Sequence, residues 1–175
     1  MEITPSYLRD LLEAEIATIH DDRVVTQIRM LLVEPSVKER KWDYGSKGQT
    51  YPCWSVMEHP SSDTSIVYCQ QGFGPRAPWG LVARIEGSDD SMGMDSGWFS
   101  SFLEAYFGSF APTNLPIWRV FREGIEADYG TAITEESDWD STWEMIYKLR
   151  KTDGKYSYNC HHSIQLGTSS KSPSD

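Results

Sequence analysis

Three successive segments have the composition of β-strands: YPCWSVM (residues 51–57), TSIVYC (64–69) and WGLVARI (79–85). They are rich in β-branched and aromatic residues, and clusters of Gly, Pro and Ser separate them. A further segment at residues 38–44 precedes them, and its charged part, KERK (38–41), suits an edge strand that resists unwanted pairing. Short strands in close succession predict an antiparallel meander.

Two helices are predicted before these strands. Thr4 can cap the first helix and Pro5 suits its first position, with leucine and isoleucine recurring at helical spacing. Asp21 or Asp22 can cap the second helix, which should end before Pro35 because the residue preceding a proline avoids the helical conformation. Together they predict an N-terminal helical hairpin.

Two further helices and two strands are predicted after the meander. Asp95 or Ser96 can cap the third helix, and Ser137 can cap the fourth. Residues 117–122 and 155–166 alternate like half-buried strands. The side chains expected to be buried are Phe99, Phe102, Leu103, Tyr106 and Phe110 on the third helix and Trp139, Trp143, Ile146 and Tyr147 on the fourth.

These elements predict an α+β fold. We expect an antiparallel sheet of about five or six strands, with the helical hairpin and two further helices packed on it. The 175 residues suffice for one globular domain, which we place at residues 1–166, followed by a mobile C-terminal tail at 167–175 that is rich in Ser.

The charge of the chain is concentrated in one region. Residues 86–144 hold thirteen acidic side chains and two basic ones, whereas the rest of the chain holds thirteen acids and fourteen bases. An acidic field repels phosphate backbones and anionic lipid and attracts basic protein surfaces. The composition therefore argues against nucleic acid and membrane as partners and favours a basic protein.

The cysteines and histidines do not form a pattern typical of metal sites. The three cysteines are widely spaced, and His161 and His162 would point to opposite faces of a strand, so we expect neither a metal nor another cofactor. Free thiols suit a reducing compartment, and the acidic side chains among the first twenty residues are not typical of a signal peptide. We therefore expect a cytoplasmic protein.

The loop at residues 70–80, QQGFGPRAPWG, is the most distinctive short segment. Two glycines flank Phe73 and two prolines bracket Arg76, so a rigid loop could present both side chains to a partner at low entropic cost. The alternative is a tight turn between two strands with buried aromatic rings. The loop lacks the glycine spacing of a phosphate-binding loop.

The segments YPCW (51–54), GFGP (72–75), PWGLV (78–82) and MGMDSGWF (92–99) resemble small bacterial proteins of polymorphic-toxin immunity families. The resemblance covers roughly the middle third of the chain. It implies a single cytoplasmic domain that is not an enzyme and that binds one cognate toxin, blocking its active site or substrate groove.

Our leading hypothesis is therefore an immunity-type protein that neutralises a basic toxin, such as a nuclease, through an acidic surface. An equally simple interpretation is that the same acids only keep an aromatic-rich chain in solution. The residues predicted to contact the partner are Glu123, Glu126, Asp128, Tyr129, Glu135, Glu136, Asp138 and Asp140, with Trp139 as a further aromatic anchor and with loop contacts from Phe73 and Arg76.

Two other classes of protein compete with this hypothesis. The first is a small cytoplasmic hydrolase or transferase with an aromatic-lined cleft that contains Arg76, His162 or the Asp89-Asp90 loop. The second is a domain that binds sugars or peptides by aromatic stacking. An enzyme requires convergent titratable groups in a concave pocket, whereas a binding protein requires an exposed acidic surface.

Overall fold

The computed structural model describes residues 2–84, 91–93, 96–123 and 130–167. It contains helices, a six-stranded mixed sheet and a three-stranded sheet, which confirms an α+β fold. The chain divides into two compact units, Met1–Ala111 with Gly167–Asp175, and Pro112–Leu166. The single domain at 1–166 stays a prediction, and residues 168–175 of the predicted tail lie outside the described residues.

The first unit is built on a six-stranded sheet of β1 (Leu32–Trp42), β2 (Thr50–His59), β3 (Thr64–Tyr68), β4 (Trp79–Ala83), β5 (Ser91–Met92) and β6 (Gly97–Phe99). The strand order in this sheet is β5-β1-β2-β3-β4-β6. All neighbouring strands are antiparallel except β1 and β5, which are parallel. The predicted strands at 51–57, 64–69 and 79–85 correspond to β2, β3 and β4, although β3 ends at Tyr68 and β4 ends at Ala83.

The charged strand β1 begins at Leu32, six residues earlier than predicted, and follows helix α2 without a loop. Its outer side pairs with β5 only at Lys41 and Trp42. Within the described part of the chain, residues 38–40 of β1 therefore lie at the edge of the sheet, as predicted, whereas Lys41 pairs with β5.

The two N-terminal helices are α1 (Pro5–Ile16) and α2 (Asp22–Leu31). Thr4 caps α1 by accepting a hydrogen bond from the Tyr7 amide, and Asp21 caps α2 by accepting one from the Arg23 amide. Both predicted caps are confirmed. The Arg29 guanidinium joins the helices through two hydrogen bonds to the Glu13 carboxylate, while their arrangement as a hairpin stays a prediction.

Helix α3 (Phe102–Phe107) begins later than predicted, and Ser101 rather than Ser96 is its cap. The reason is that Gly97–Phe99 forms the edge strand β6, in which Trp98 lies opposite Gly80 and covers the space left by its missing side chain. Asp95, the other predicted cap, lies outside the described residues. Phe110, which we expected to be buried, follows the helix and is 63% exposed.

Glu15 connects α1 to the start of α3. Its carboxylate accepts hydrogen bonds from the Phe102 and Leu103 amides at 3.2 and 3.0 Å. Burial raises the pKa of Glu15, although these two hydrogen bonds oppose the change. Protonation of Glu15 therefore favours the folded state, and this contribution grows as the pH falls through the raised pKa and is complete below the ordinary pKa of glutamate.

We expect Glu15→Ala to lower the free energy of unfolding by about 1–3 kcal/mol, because it leaves two amides without their acceptors. Glu15→Gln should cost less, since one amide oxygen can still accept a hydrogen bond. Urea unfolding of the two variants measures the difference. Equal losses would show that the carboxylate oxygens do not stabilise α3.

The described residues of the second unit include helix α4 (Trp139–Thr152) and a sheet of β7 (Trp118–Arg122), β8 (Thr131–Ala132) and β9 (Tyr158–His162). The strand order in this sheet is β8-β7-β9. In β7, Trp118 and Val120 are buried while Arg119 and Phe121 are less so, as the alternation predicts. The last strand is shorter than the predicted range 155–166, and Tyr156 and Leu166 within that range are more than 40% exposed.

Helix α4 is capped by Asp138 and not by Ser137. The backbone of Ser137 exchanges two hydrogen bonds with Trp118, at 2.8 and 2.9 Å, and this bridge moves the cap forward by one residue. Thr142 and Ile146 are the most buried residues of α4, whereas Tyr147, which we expected to be buried, is 57% exposed. Across the described residues, no helix has the length and apolarity needed to cross a bilayer.

Candidate protein-binding surface

An open groove of about 540 Å³ runs along one face of α4. It is lined by Trp139, Asp140, Trp143, Glu144 and Tyr147, and we call these five residues the α4 groove. The spacing explains their common face, because residues four apart are neighbours on a helix surface. Three rings at positions 139, 143 and 147 therefore form one row, and two carboxylates at 140 and 144 form the row beside it.

The three rings contact one another in sequence. The Trp139 and Trp143 ring centroids are 5.8 Å apart, and those of Trp143 and Tyr147 are 5.9 Å apart. Trp139 also packs edge-on against Trp118 of β7, at 4.7 Å. The buried sheet thus supports one end of the aromatic row, whereas Tyr147 at the other end is mostly open to solvent.

A cation already lies over this aromatic row. The Arg150 guanidinium is 5.6 Å from the Trp143 ring centroid, and it donates a hydrogen bond to the Tyr158 carbonyl. A guanidinium over an indole face is held by the negative quadrupole of the ring. The α4 groove therefore offers the two kinds of group that attract arginine and lysine, which are carboxylates and aromatic faces.

The structure places four of the eight predicted partner-binding residues in or beside α4. Asp140 lines the groove, and Asp138 caps the helix by accepting hydrogen bonds from the Ser141 amide and hydroxyl. Glu135 and Glu136 are exposed just before the cap, and Glu136 accepts a hydrogen bond from the Ser163 hydroxyl.

The other predicted residues are less well placed or lie outside the described residues. Glu123 is exposed after β7 and accepts a hydrogen bond from the Asn159 amide. Glu126, Asp128 and Tyr129 lie outside the described residues. The prediction omitted Trp143, Glu144 and Tyr147 from the binding surface, although the repeats at 139, 143, 147 and at 140, 144 were visible in the sequence.

Phe73 and Arg76 belong to the first unit. Phe73 is 40% exposed and is held by other rings, stacking on Trp98 at 5.3 Å and meeting Trp42 edge-on at 5.1 Å. Arg76 is exposed. The loop thus combines both alternatives, since it is a supported turn that still leaves part of Phe73 open.

The residues considered for metal binding or catalysis do not assemble into a site within the described part of the chain. No group of three or more His, Cys, Asp or Glu side chains is arranged there to hold a metal ion. His161 and His162 are adjacent on β9, and burial lowers the pKa of His162. The Asp89-Asp90 loop lies outside the described residues.

The Asp138 cap makes the stability of α4 depend on pH. Hydrogen bonds from Ser141 lower the pKa of the Asp138 carboxyl. The folded state favours the charged carboxylate of Asp138. The stabilisation from this cap is therefore present above the ordinary pKa of aspartate, about 3.9, and is lost as the pH falls through the lowered pKa of the folded state.

We therefore expect Asp138→Ala to destabilise α4 at pH 7 and to lose this difference from the unsubstituted protein in acid. Asp138→Asn is the control, because asparagine also caps helices but does not titrate. Thermal unfolding between pH 7 and pH 2, followed by circular dichroism, measures both variants. A pH-independent difference for Asp138→Ala would contradict the charged cap.

Comparison of the chain with protein-family models, with curated proteins and with solved structures finds no match.

Proposed function

We propose that this protein is an immunity-type binding protein that neutralises a basic toxin domain in the cytoplasm by direct contact. The observation that carries the proposal is the α4 groove, in which two carboxylates adjoin a row of three aromatic rings. The resemblance to immunity families indicates that the partner is a toxin, and the groove indicates that aromatic rings and carboxylates would contact it.

The aromatic row supports a protein partner. Tryptophan and tyrosine are enriched among the residues that dominate binding energy, because a rigid ring buries a large area and loses little conformational entropy. Tyr147 is exposed while Trp139 is fixed against Trp118. The row therefore has one exposed ring, Tyr147, that a partner can contact, and one ring, Trp139, that is already held in place before binding.

The carboxylates support a basic partner. Asp140 and Glu144 flank the rings, and the segment from 124 to 144 contains no Lys or Arg. A partner with a basic surface would be attracted toward this region and would place its cations near both carboxylates and ring faces. Nuclease toxins fit this description because they must bind a phosphate backbone.

The groove also supports binding in preference to catalysis. It is open and lies on one helix face, so its two carboxylates stand side by side and do not converge on an enclosed space. Within the described residues of each unit, no observation favours the alternative of a hydrolase or transferase.

The experiment is quantitative affinity capture from the native host with three baits. The first is the unsubstituted protein, and the second carries Asp140→Lys and Glu144→Lys. The third carries Asp10→Lys and Glu39→Lys, which make the same change in net charge on exposed residues of the first unit.

We expect one basic chain that the first and third baits retain and the second loses. Once purified, this chain should show a toxic activity that the unsubstituted protein inhibits at a 1:1 ratio. Loss of the captured chain from both charge-reversed baits would indicate attraction by net charge alone. If the captured chain had no toxic activity, the protein would still be a binding protein, but the proposal that it neutralises a toxin would be contradicted.

A further inference from the structure

Two cysteines of the first unit face each other across neighbouring strands. Trp54 of β2 pairs with Tyr68 of β3 in antiparallel register, so the next residues outward, Cys53 and Cys69, stand opposite each other. The Cys69 amide donates a hydrogen bond to the Pro78 carbonyl at 2.8 Å, on the side of β4. Its backbone therefore turns away from β2, which makes Cys53 and Cys69 a non-hydrogen-bonded pair.

This kind of pair brings the two side chains closest together. Its Cα atoms lie about 4.5 Å apart, which falls inside the range of roughly 4.4–6.8 Å that disulfides span. The two thiols also perturb each other: contact with Cys69 raises the pKa of Cys53, and contact with Cys53 lowers that of Cys69. The strands are thus positioned for a disulfide without rearrangement of the backbone.

Both thiols are buried, and they differ in their neighbours. Cys69 is 1% exposed, and its sulfur lies 3.5 Å from the side-chain oxygen of Gln71, an exposed residue at the end of the strand. Cys53 is 0% exposed and its sulfur is 3.5 Å from the Met92 sulfur in the core.

We propose that Cys69 and Cys53 form a redox-sensitive pair, in which a small hydroperoxide that reaches Cys69 beside Gln71 oxidises it and Cys53 then closes an intramolecular disulfide. In the first step the Cys69 thiolate attacks one peroxide oxygen, an S–O bond forms, the O–O bond breaks, and the departing oxygen takes a proton. In the second step the Cys53 sulfur attacks the Cys69 sulfur, the S–S bond forms, and the S–O oxygen leaves as water. The two thiols are oxidised by two electrons, and hydrogen peroxide is reduced to two waters.

The third cysteine provides an internal control. Cys160 lies on β9 of the second unit, and burial raises its pKa to about 12. The thiolate is the reactive form of cysteine, so a raised pKa slows oxidation and a lowered one favours it. Cys69 combines a lowered pKa with an opposed second thiol, whereas Cys160 is 9% exposed but has surroundings that favour its thiol form.

The test uses the folded full-length chain and hydrogen peroxide as the probe. After a timed exposure the remaining thiols are alkylated in denaturant, and the chain is digested with trypsin. Cys53 and Cys69 then fall in one peptide, residues 48–76, which cleavage after Glu58 divides between them unless a disulfide holds the parts together. Mass spectrometry follows this peptide and the Cys160 peptide in the same sample.

We expect the Cys53–Cys69 disulfide to form at least about tenfold faster than Cys160 is lost. In Cys53→Ala, dimedone should trap a sulfenic acid on Cys69, whereas Cys69→Ala should slow the oxidation of Cys53. Equal rates at all three thiols, or a disulfide that forms only in urea, would overturn the proposal. Because the rates are compared within the unsubstituted chain, this result does not depend on whether a variant folds.

Discussion

A variant with Asp140→Lys, Glu144→Lys and Tyr147→Ala will bind the basic partner about a thousandfold more weakly than the unsubstituted protein. Removing an exposed aromatic anchor costs about 2 kcal/mol at a typical hot spot. Reversing two carboxylates replaces attraction by repulsion, at about 1 kcal/mol each at a solvent-exposed site. Since 1.4 kcal/mol is tenfold in affinity, the total of about 4 kcal/mol gives this loss.

Folding should be little affected, because all three substitutions are on the solvent side of α4. Tyr147 is 57% exposed, and the buried residues of the helix are Thr142 and Ile146. The matched control carries Asp10→Lys, Glu39→Lys and Tyr44→Ala, which make the same charge change and remove a ring that is 59% exposed.

Isothermal titration calorimetry at about 50 and 200 mM salt measures both variants against the purified partner. Salt should weaken the unsubstituted complex more than that of the α4 variant, because screening acts on the charges that the variant has lost. Equal loss of affinity in the α4 variant and the matched control would contradict the surface assignment.

The second large effect is on stability. Trp118→Ala should lower the free energy of unfolding of the second unit by about 3–5 kcal/mol, the usual cost of removing a buried large aromatic side chain. Trp118 is 3% exposed, and its indole donates a hydrogen bond to the Pro112 carbonyl at 2.9 Å. Its ring also supports Trp139, so binding by the α4 groove should fall with it.

Trp118→Phe separates these contributions, because it keeps a ring and removes the indole donor. We expect it to cost less than Trp118→Ala, with the lost hydrogen bond contributing about 1 kcal/mol. Urea unfolding followed by circular dichroism gives both values. A loss below about 1 kcal/mol for Trp118→Ala would show that this ring does not hold the second unit together.

The strands of the first unit were predictable because their signals were local. Residues 51–57 and 64–69 are apolar, β-branched and bounded by turn residues, and they form β2 and β3. The caps at Thr4 and Asp21 were also predictable, since a cap depends on residues only a few positions away.

The misplaced elements depend on partners that are distant in the sequence. Gly97–Phe99 resembles a helix start until its pairing with Trp79–Leu81 is known. Ser137 resembles the cap of α4 until its backbone bridge to Trp118 is known. In both cases backbone hydrogen bonds to a segment distant in the sequence override the local sequence signal for the start of a helix.

The candidate surface was predictable in its charge but not in its composition. The acidic region was plain from the sequence, and Asp140 and Trp139 were named in it. Trp143 and Tyr147 were assigned to the core, because an apolar stripe on a helix is usually buried. Only the packing of α4 shows that Thr142 and Ile146 occupy the buried face, leaving Tyr147 largely in solvent.

The most direct test of the proposed surface is carboxyl footprinting of the purified complex. Exposed carboxylates are coupled to glycine ethyl ester by a carbodiimide, and mass spectrometry compares each site in the free and bound protein. We predict that labelling of Asp140 and Glu144 falls several-fold on binding, while labelling of Asp10 and Glu39 does not change. Unchanged labelling at Asp140 and Glu144 in a fully formed complex would contradict the assignment of the α4 groove as the partner-binding surface.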